Sequence, residues 1–337
     1  MEPFPVGKLP AELMEQVLRR TATGDPRLLL GPGVGLDCAV IEFGDRLLVA
    51  KSDPVTFATD QIGWYAVHVN ANDIATTGAV PAWFMATLLL PEHRTDRGMV
   101  ESVFDQIGRA CSAVGATLVG GHTEITAGLQ RPIVAGTMLG EVDRERLITP
   151  SGAKPGDHLL LTKGIPLEAT SLLARELPDR LTAISPMILE RARHFLIEPG
   201  ISVLTEARAA ALTGAVTAMH DPTEGGLAGG LWELALASGV GIEVEREAVR
   251  VMPEAKAICI ALDIEPYNAI ASGALLIAVQ SDRSSEVIAA IEAKGVDVVD
   301  IGRITSGAGV LIRTAGDMRA LPRPDRDAIA ALLEIED

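Results

Sequence analysis

The sequence predicts an α/β protein of two domains, on three observations. Its 337 residues exceed the usual span of one domain and suit about two. Ala, Val, Leu and Ile dominate beside 33 glycines, while aromatic residues make up only 3%, a composition for tightly packed layers of helix and sheet. Apolar strand-like runs also alternate with segments of helical period along the chain. A chain this long buries substantial cores without a disulfide or zinc staple.

The elements follow in order. Residues 10–20 place Leu13 and Val17 four apart behind a proline, the period of a short helix. Residues 45–53 (DRLLVAKSD) read as a buried strand with a polar end at Ser52 and Asp53. Residues 63–78 are helical, stopped by Gly78 and then Pro81. The clearest helix is 96–114, where Val100, Val103, Phe104, Ile107, Cys111 and Val114 recur at steps of three and four. It leads to a strand, TLVGG (117–121), expected to stop at its glycine pair, and then to another at 133–140. The Pro- and Gly-rich stretch TPSGAKPGD (149–157) marks the boundary between domains at 1–150 and 151–337. The second domain opens with a strand at 158–164, followed by helices between 167 and 212. A strand at 215–221 then meets a glycine-rich helix start, and a strand at 274–280 precedes a helix at 284–295. Trp64, Trp83 and Trp232 are assigned to the core.

Charge and composition exclude several classes. With 29 basic against 45 acidic side chains the net charge is −16, whereas a nucleic-acid binder needs a basic surface to neutralise phosphates. Cys38, Cys111 and Cys259 are too few and too scattered for a disulfide framework or a CxxC metal site, which implies a reducing compartment. The amino terminus lacks the pattern of a signal peptide, and no apolar run is long enough to span a bilayer. The expectation is a cytoplasmic protein.

Standard nucleotide and metal fingerprints are absent. GPGVGL (31–36) has Leu36 where a dinucleotide loop needs its last glycine. There is no GxxxxGK[ST] loop, no HExxH and no GxSxG elbow. What remains is a set of acids at turn or strand-end contexts: Asp37 in GVGLDCAVI, Asp53 in KSDPVTF and Asp73 in NANDIATTGA. GGHTE (120–124) adds His122, Thr123 and Glu124. Two carboxylates about 5 Å apart repel by about 3 kcal/mol at an effective dielectric of about 20. A converging set therefore takes up protons or a hard cation, and oxygen ligands favour Mg²⁺. The alternative is that these aspartates form turns and cap helices.

MHDPTEGGLAGG (219–230) is the counterpart in the second half. A strand ends at His220 and Asp221, Pro222 and Thr223 begin a turn, and glycines open a helix whose bare N–H groups suit an anion. The alternative is a capped helix packed closely through its glycines. His220 alone reads as a satisfied structural histidine rather than a catalyst. Lys51 and Lys163 lie beside strand ends within reach of a phosphate, or are simply solvated.

Taken together, these segments resemble the superfamily of aminoimidazole ribonucleotide (AIR) synthetase (PurM), thiamine monophosphate kinase (ThiL), selenophosphate synthetase (SelD) and the hydrogenase maturation factor HypE, with HypE-like members nearest. GLDCAVI is similar to GDDAAV, NANDIATTGAVP to VNDLAMxGAxP, GGHTE to GDT or GGET, and HDPTEGGLAGGLWELA to DPTRGGLAxxLNEIA. KSDPVTF, ASGALLIAV and TAGDMRALP match further motifs in order, so the likeness covers nearly the whole chain. It implies the two-domain PurM-like fold, with an amino-terminal sheet pairing with that of a second subunit into a dimeric barrel. It also implies ATP and Mg²⁺ as cofactors and phosphorylation of a carbonyl, amide or carboxamide-type oxygen on a small substrate. By motif match, Asp37, Asp53 and Asp73 are the metal candidates. Asp37, Lys51, Asp53, Asn72, Gly120, Gly121, Thr123, Thr223, Gly225 and Gly226 would hold the nucleotide. His122, Asp221 and Glu224 are the catalytic candidates.

Three departures stand out. His122 occupies an aspartate position, Glu124 a lysine position, and the chain ends ALLEIED, without the terminal cysteine on which HypE builds a thiocyanate. Self-cyanation is therefore not carried over. The leading expectation is an ATP- and Mg²⁺-dependent homodimeric enzyme with a maturation protein as a possible partner. The alternatives are a nucleotide-binding scaffold with reduced turnover and a ThiL-like kinase.

Overall fold

The computed structural model describes residues 4, 6–21 and 24–333, which fall into two units. The first element, α1 (Ala11–Thr21), starts directly after Pro10 as its period predicts.

The smaller unit comprises Asp25–Gly31 and Cys38–Leu147. Its strands are β1 (Leu28–Leu30), β2 (Ala39–Phe43), β3 (Arg46–Val55), β4 (Val80–Pro91), β5 (Thr117–Thr126) and β6 (Ile133–Val142). They form one sheet in the order β1-β2-β3-β6-β4-β5, antiparallel except for the parallel β4–β5 pair. The helices α2 (Ile62–Thr76) and α3 (Arg97–Val114) complete it. Nearly every residue of α2 is buried, because it lies between the sheet and α3. That placement buries polar side chains with the apolar ones, His68, Asn70, Asn72 and Asp73 among them. Asp96 caps α3 by accepting the Met99 amide at 2.8 Å.

Residues 80–91, to which the sequence assigns no element, form β4, whose long apolar run hides the alternation that the burial shows. The strand expected to stop at the Gly120–Gly121 pair instead continues through it to Thr126. Val119 bulges out where the register with β4 shifts, and pairing then resumes with Gly120 opposite Met85. Gly121 sits at φ +146°, and a Cβ there would stand 1.9 Å from the Ala86 carbonyl oxygen. The glycine is therefore required for strand pairing, and GGHTE belongs to a strand and not to a loop. Trp83, assigned to the core, is 37% exposed, because it alternates with the buried Phe84 and so lies on the other side of the strand.

The larger unit gathers the described residues before Asp25, then Pro32–Asp37, and all from Ile148 onward. The crossing at Leu147 lies close to the expected boundary. By contact, Asp37 and the described residues before Asp25 group with those from Ile148 onward. The reason is local packing. Gly35 lies against Glu233 and Ala237 of a helix in this unit, and Asp37 bonds to His220.

Its strands are β7 (His158–Thr162), β8 (Val216–His220), β9 (Gly241–Glu245), β10 (Leu276–Val279), β11 (Val298–Thr305), β12 (Gly309–Thr314) and β13 (Asp317–Ala320), in the order β13-β12-β9-β11-β7-β10-β8. The helices are α4 (Leu167–Glu176), α5 (Pro186–His194), α6 (Leu204–Leu212), α7 (Gly226–Ser238), α8 (Pro253–Leu262), α9 (Ser284–Glu292) and α10 (Ala330–Leu333). The continuous apolar runs of β7 and β10 are buried on both faces. Leu159, Leu161, Leu276 and Ala278 share one core with Leu227, Leu231 and Leu234 of α7. No helix among the described residues is long and apolar enough to cross a membrane.

Candidate active site

In the smaller unit β3 and α2 bring together three of the expected residues. Lys51 Nζ lies 3.1 Å from Asp53 Oδ2 and 3.0 Å from Asp73 Oδ2. Asn70 fastens the same spot to β3, accepting the Asp53 amide at 2.9 Å and donating to the Asp53 carbonyl at 3.2 Å. Asp73 and Asn72 are buried on α2. The cation flanked by Asp53 and Asp73 is thus the Lys51 ammonium, which offsets the cost of burying Asp73.

GGHTE lies on the edge strand β5. His122 Nε2 is 3.2 Å from Glu124 Oε2, and Glu124 Oε1 accepts the Thr126 hydroxyl at 3.0 Å. The His122 hydrogen bond, with help from Thr126, holds the Glu124 carboxyl below its usual range. Both side chains, with Gly120 and Thr123, are exposed, and an exposed pair of this kind contributes little to stability.

In the larger unit the site forms where β8 ends and α7 begins. His220 is buried, with Nδ1 2.9 Å from Asp37 Oδ2 and Nε2 3.0 Å from Glu233 Oε2. Burial alone would lower the imidazole, but the charges and hydrogen bonds of Asp37 and Glu233 outweigh it and hold His220 well above its ordinary range. Burial likewise pushes Glu233 up, and His220 and Lys8 more than reverse it. Lys8 lies 3.3 Å from Glu233 and 3.5 Å from the Thr223 hydroxyl. Asp221 is almost fully buried, and a carboxylate oxygen of it lies within 4.8 Å of one of Asp37. Two like-charged oxygen donors, one of them buried, suit a hard divalent cation, and Asp37 and Asp221 are the residues that would hold it.

The glycines after the turn serve the backbone first. Gly225 caps α7 at φ 85°, and its amide donates to Asp327 Oδ2 at 2.7 Å. A Cβ on Gly226 would stand 2.5 Å from the Tyr267 carbonyl oxygen. Behind this turn lies a group of acids that spacing does not reveal. Burial pushes Glu168 up to about 7, against the neighbouring Ser272 hydroxyl and with the charges of Asp327 and Glu224. Burial also raises Asp327 to about 6, against hydrogen bonds from the Ile329 and Gly225 amides. Lys163, placed within reach of a phosphate by its strand end, is instead buried against Glu206 at 2.7 Å.

The sequence reading missed Lys8, Glu168, Glu233 and Asp327, and it took His220 alone for a structural histidine. Glu233 stands in the quoted WELA stretch, but its partner Asp37 lies so far off along the chain that no spacing links them. Glu168 occurs singly in GIPLE and Asp327 beside Asp325 in PRPDRD, and neither stretch carries a periodic signal.

Comparison with known proteins supplies the family. Residues 35–142 match the AIR synthase related protein, N-terminal domain, and residues 154–313 the C-terminal domain of the same family. The chain belongs to the AIR synthase-related family. Among similar proteins, carbamoyl dehydratase HypE of Rhodobacter capsulatus is 26% identical, with 92% of this chain and 90% of that protein covered. Thiamine-monophosphate kinase of Pyrococcus horikoshii is 27% identical, over 86% and 88%. Of solved structures, HypE in the HypE–HypF complex superposes with a TM-score of 0.74 at 21% identity, over 94% of this chain and all of that one. AaThiL complexed with AMPPCP and TMP gives 0.73 at 20%, over 93% and 95%. HypE in complex with ATP gives 0.69 at 21%, over 97% and 98%. These likenesses establish the PurM-like fold.

Proposed function

We propose that this chain is a cytoplasmic, ATP- and Mg²⁺-dependent enzyme that activates a carbonyl, amide or carboxamide-type oxygen of a small substrate by phosphoryl transfer. The observation that carries the reading is the Asp37–Asp221 carboxylate pair at the β8–α7 turn. Its support is the company the family keeps: a carbamoyl dehydratase, a kinase, and relatives crystallised with ATP or AMPPCP.

A bound magnesium ion would neutralise charge on the transferring phosphoryl group, and the remaining catalysis is positioning and electrostatics. In the larger unit Asp37 and Asp221 would hold the metal, and in the smaller unit Asp53 and Asp73 are the motif candidates for the metal and triphosphate. Lys51 orients Asp53 and Asp73 and is the ammonium available to a phosphate oxygen. Thr223, Gly225 and Gly226 shape the turn facing the acceptor, with Glu224 beside it.

Cysteine chemistry is not part of the reading. Burial raises the Cys259 thiol to about 12, with Glu265 adding to it, and raises Cys111 to about 11, so neither is a thiolate at neutral pH. The reading includes a homodimer formed through the exposed edge strand β5, and a maturation protein as partner in the manner of the HypE–HypF complex.

A scaffold with reduced turnover is the second reading, favoured by the Lys51 ammonium already seated between Asp53 and Asp73. The two separate on nucleotide turnover across a panel of carboxamide and phosphate-ester acceptors. Mg²⁺-dependent ATP hydrolysis that collapses in Asp221→Asn and Asp73→Asn supports the enzyme. ATP binding without turnover on any acceptor rejects it.

A further inference from the structure

His220 is the last residue of β8, and its ring joins two segments distant in the chain. Nδ1 meets Asp37 in the 32–37 segment, and Nε2 meets Glu233 on α7, which Lys8 also approaches. Both nitrogens lie within hydrogen-bond distance of carboxylate oxygens of the chain itself. The ring is thereby tied to Asp37 on one side and to α7 on the other. An Asp37 oxygen lies within 4.8 Å of an Asp221 oxygen, so the contact with Nδ1 fixes where Asp37 stands beside Asp221.

The charges agree with that role. Asp37, Asp221 and Glu233 place three acids around one turn, and such acids repel unless a cation stands between them. His220 separates Asp37 from Glu233, and Lys8 takes up part of the Glu233 charge. An oxygen of Asp37 stands within 4.8 Å of one of Asp221. Carboxylate ligands in metal sites are commonly oriented by a hydrogen-bonded partner behind them, and loss of that partner weakens metal binding about 10–100-fold.

We infer that His220 is a positioning residue, which holds Asp37 beside Asp221 and so presets the carboxylate pair for a divalent cation. This rests on the reading that Asp37 and Asp221 hold that cation.

Asparagine and glutamine separate the two arms of the ring, because an asparagine amide reaches the place of Nδ1 and a glutamine amide that of Nε2. Mn²⁺ binding to the full-length protein, followed by electron paramagnetic resonance without nucleotide, is the readout, with thermal melting alongside. His220→Asn keeps a donor for Asp37 and should hold Mn²⁺ within about 3-fold of wild type. His220→Gln and His220→Ala lose it and should bind at least about 10-fold more weakly. A purely structural histidine gives Asn and Gln variants that change affinity alike, in step with their melting temperatures, and that result overturns the inference. Should His220→Gln not fold, the Asn-against-Ala comparison carries the same test. Asp37→Asn tells the two claims apart. Unchanged Mn²⁺ affinity in it rejects the cation reading and the positioning role together. Lost affinity there, with wild-type affinity in His220→Gln, rejects the positioning role alone.

Discussion

Asp327 accepts the Gly225 amide at 2.7 Å, so a carboxylate of the chain itself takes an N–H group at the start of α7. The Ile329 amide bonds its other oxygen at 2.9 Å, and the side chain is buried. The glycine-rich helix start is thus capped from the carboxy-terminal segment, a cap that no nearby residue provides. Asp327→Ala should cost about 1–2 kcal/mol, in line with the loss of other helix caps. Urea denaturation measures this, and an unchanged midpoint would show that the bond contributes nothing.

Lys51 is the counterweight to a buried acid. Lys51→Met keeps the length of the side chain but leaves Asp73 without its ammonium, and should destabilise the protein by about 3 kcal/mol. Adding Asp73→Asn to that variant should restore most of the loss. A double-mutant cycle on melting free energies tests the coupling, and a coupling near zero contradicts the pairing.

Glu168 and Asp327 both have pKa values raised by burial, to about 7 and about 6. The folded protein therefore holds their protons more tightly than the unfolded chain does. Their contribution to stability is complete below the unfolded carboxyl range and declines as pH rises through the folded values. For Glu168 the span is on the order of 3 kcal/mol. Melting temperature should drop between pH 5 and pH 8, and Glu168→Gln should flatten the drop. Parallel curves for wild type and variant would refute the assignment.

The edge strand β5 is exposed along its length, with Val119 at 52% and Ile125 at 57%. A long apolar edge left open invites pairing with another chain. Ile125→Lys should convert a dimer to a monomer in light scattering at micromolar concentration, with the melting profile of the smaller unit retained. A wild-type protein that is already monomeric would remove β5 as the interface.

Turnover supplies the last test. Asp221→Asn should lower Mg²⁺-dependent ATP hydrolysis by about 100-fold or more, the scale of removing a group that stabilises transition-state charge. Cys259→Ser, by contrast, should leave it within about 2-fold, since that thiol stays protonated at neutral pH. Loss of activity in the serine variant without loss of fold would bring cysteine chemistry back.

Periodicity made much of the fold legible. The helices α1, α2 and α3 and the strands β3, β6 and β7 lie close to where apolar spacing and glycine or proline stops put them. β4 escaped because Trp83 to Leu90 is apolar on both sides of the strand, so no alternation shows. β5 was cut short because Gly120 and Gly121 look like a stop, whereas a bulge at Val119 carries the strand through. At the site, the strand-end acids Asp53 and Asp221 and the loop acid Asp37 lie among other charged side chains. Their partners could not be read, because Asp37 with His220, and Gly225 with Asp327, are joined only by the folded backbone.

One consequence follows from the way the chain is threaded. It passes between the units four times, at residues 24–25, 31–32, 37–38 and 147–148. A fragment cut at 150 therefore severs more than a linker. The carboxy-terminal piece would lose the short Pro32–Asp37 insert packed against α7, and with it the acid that His220 grips. Interleaving of this kind ties the carboxylate pair to the uninterrupted polypeptide.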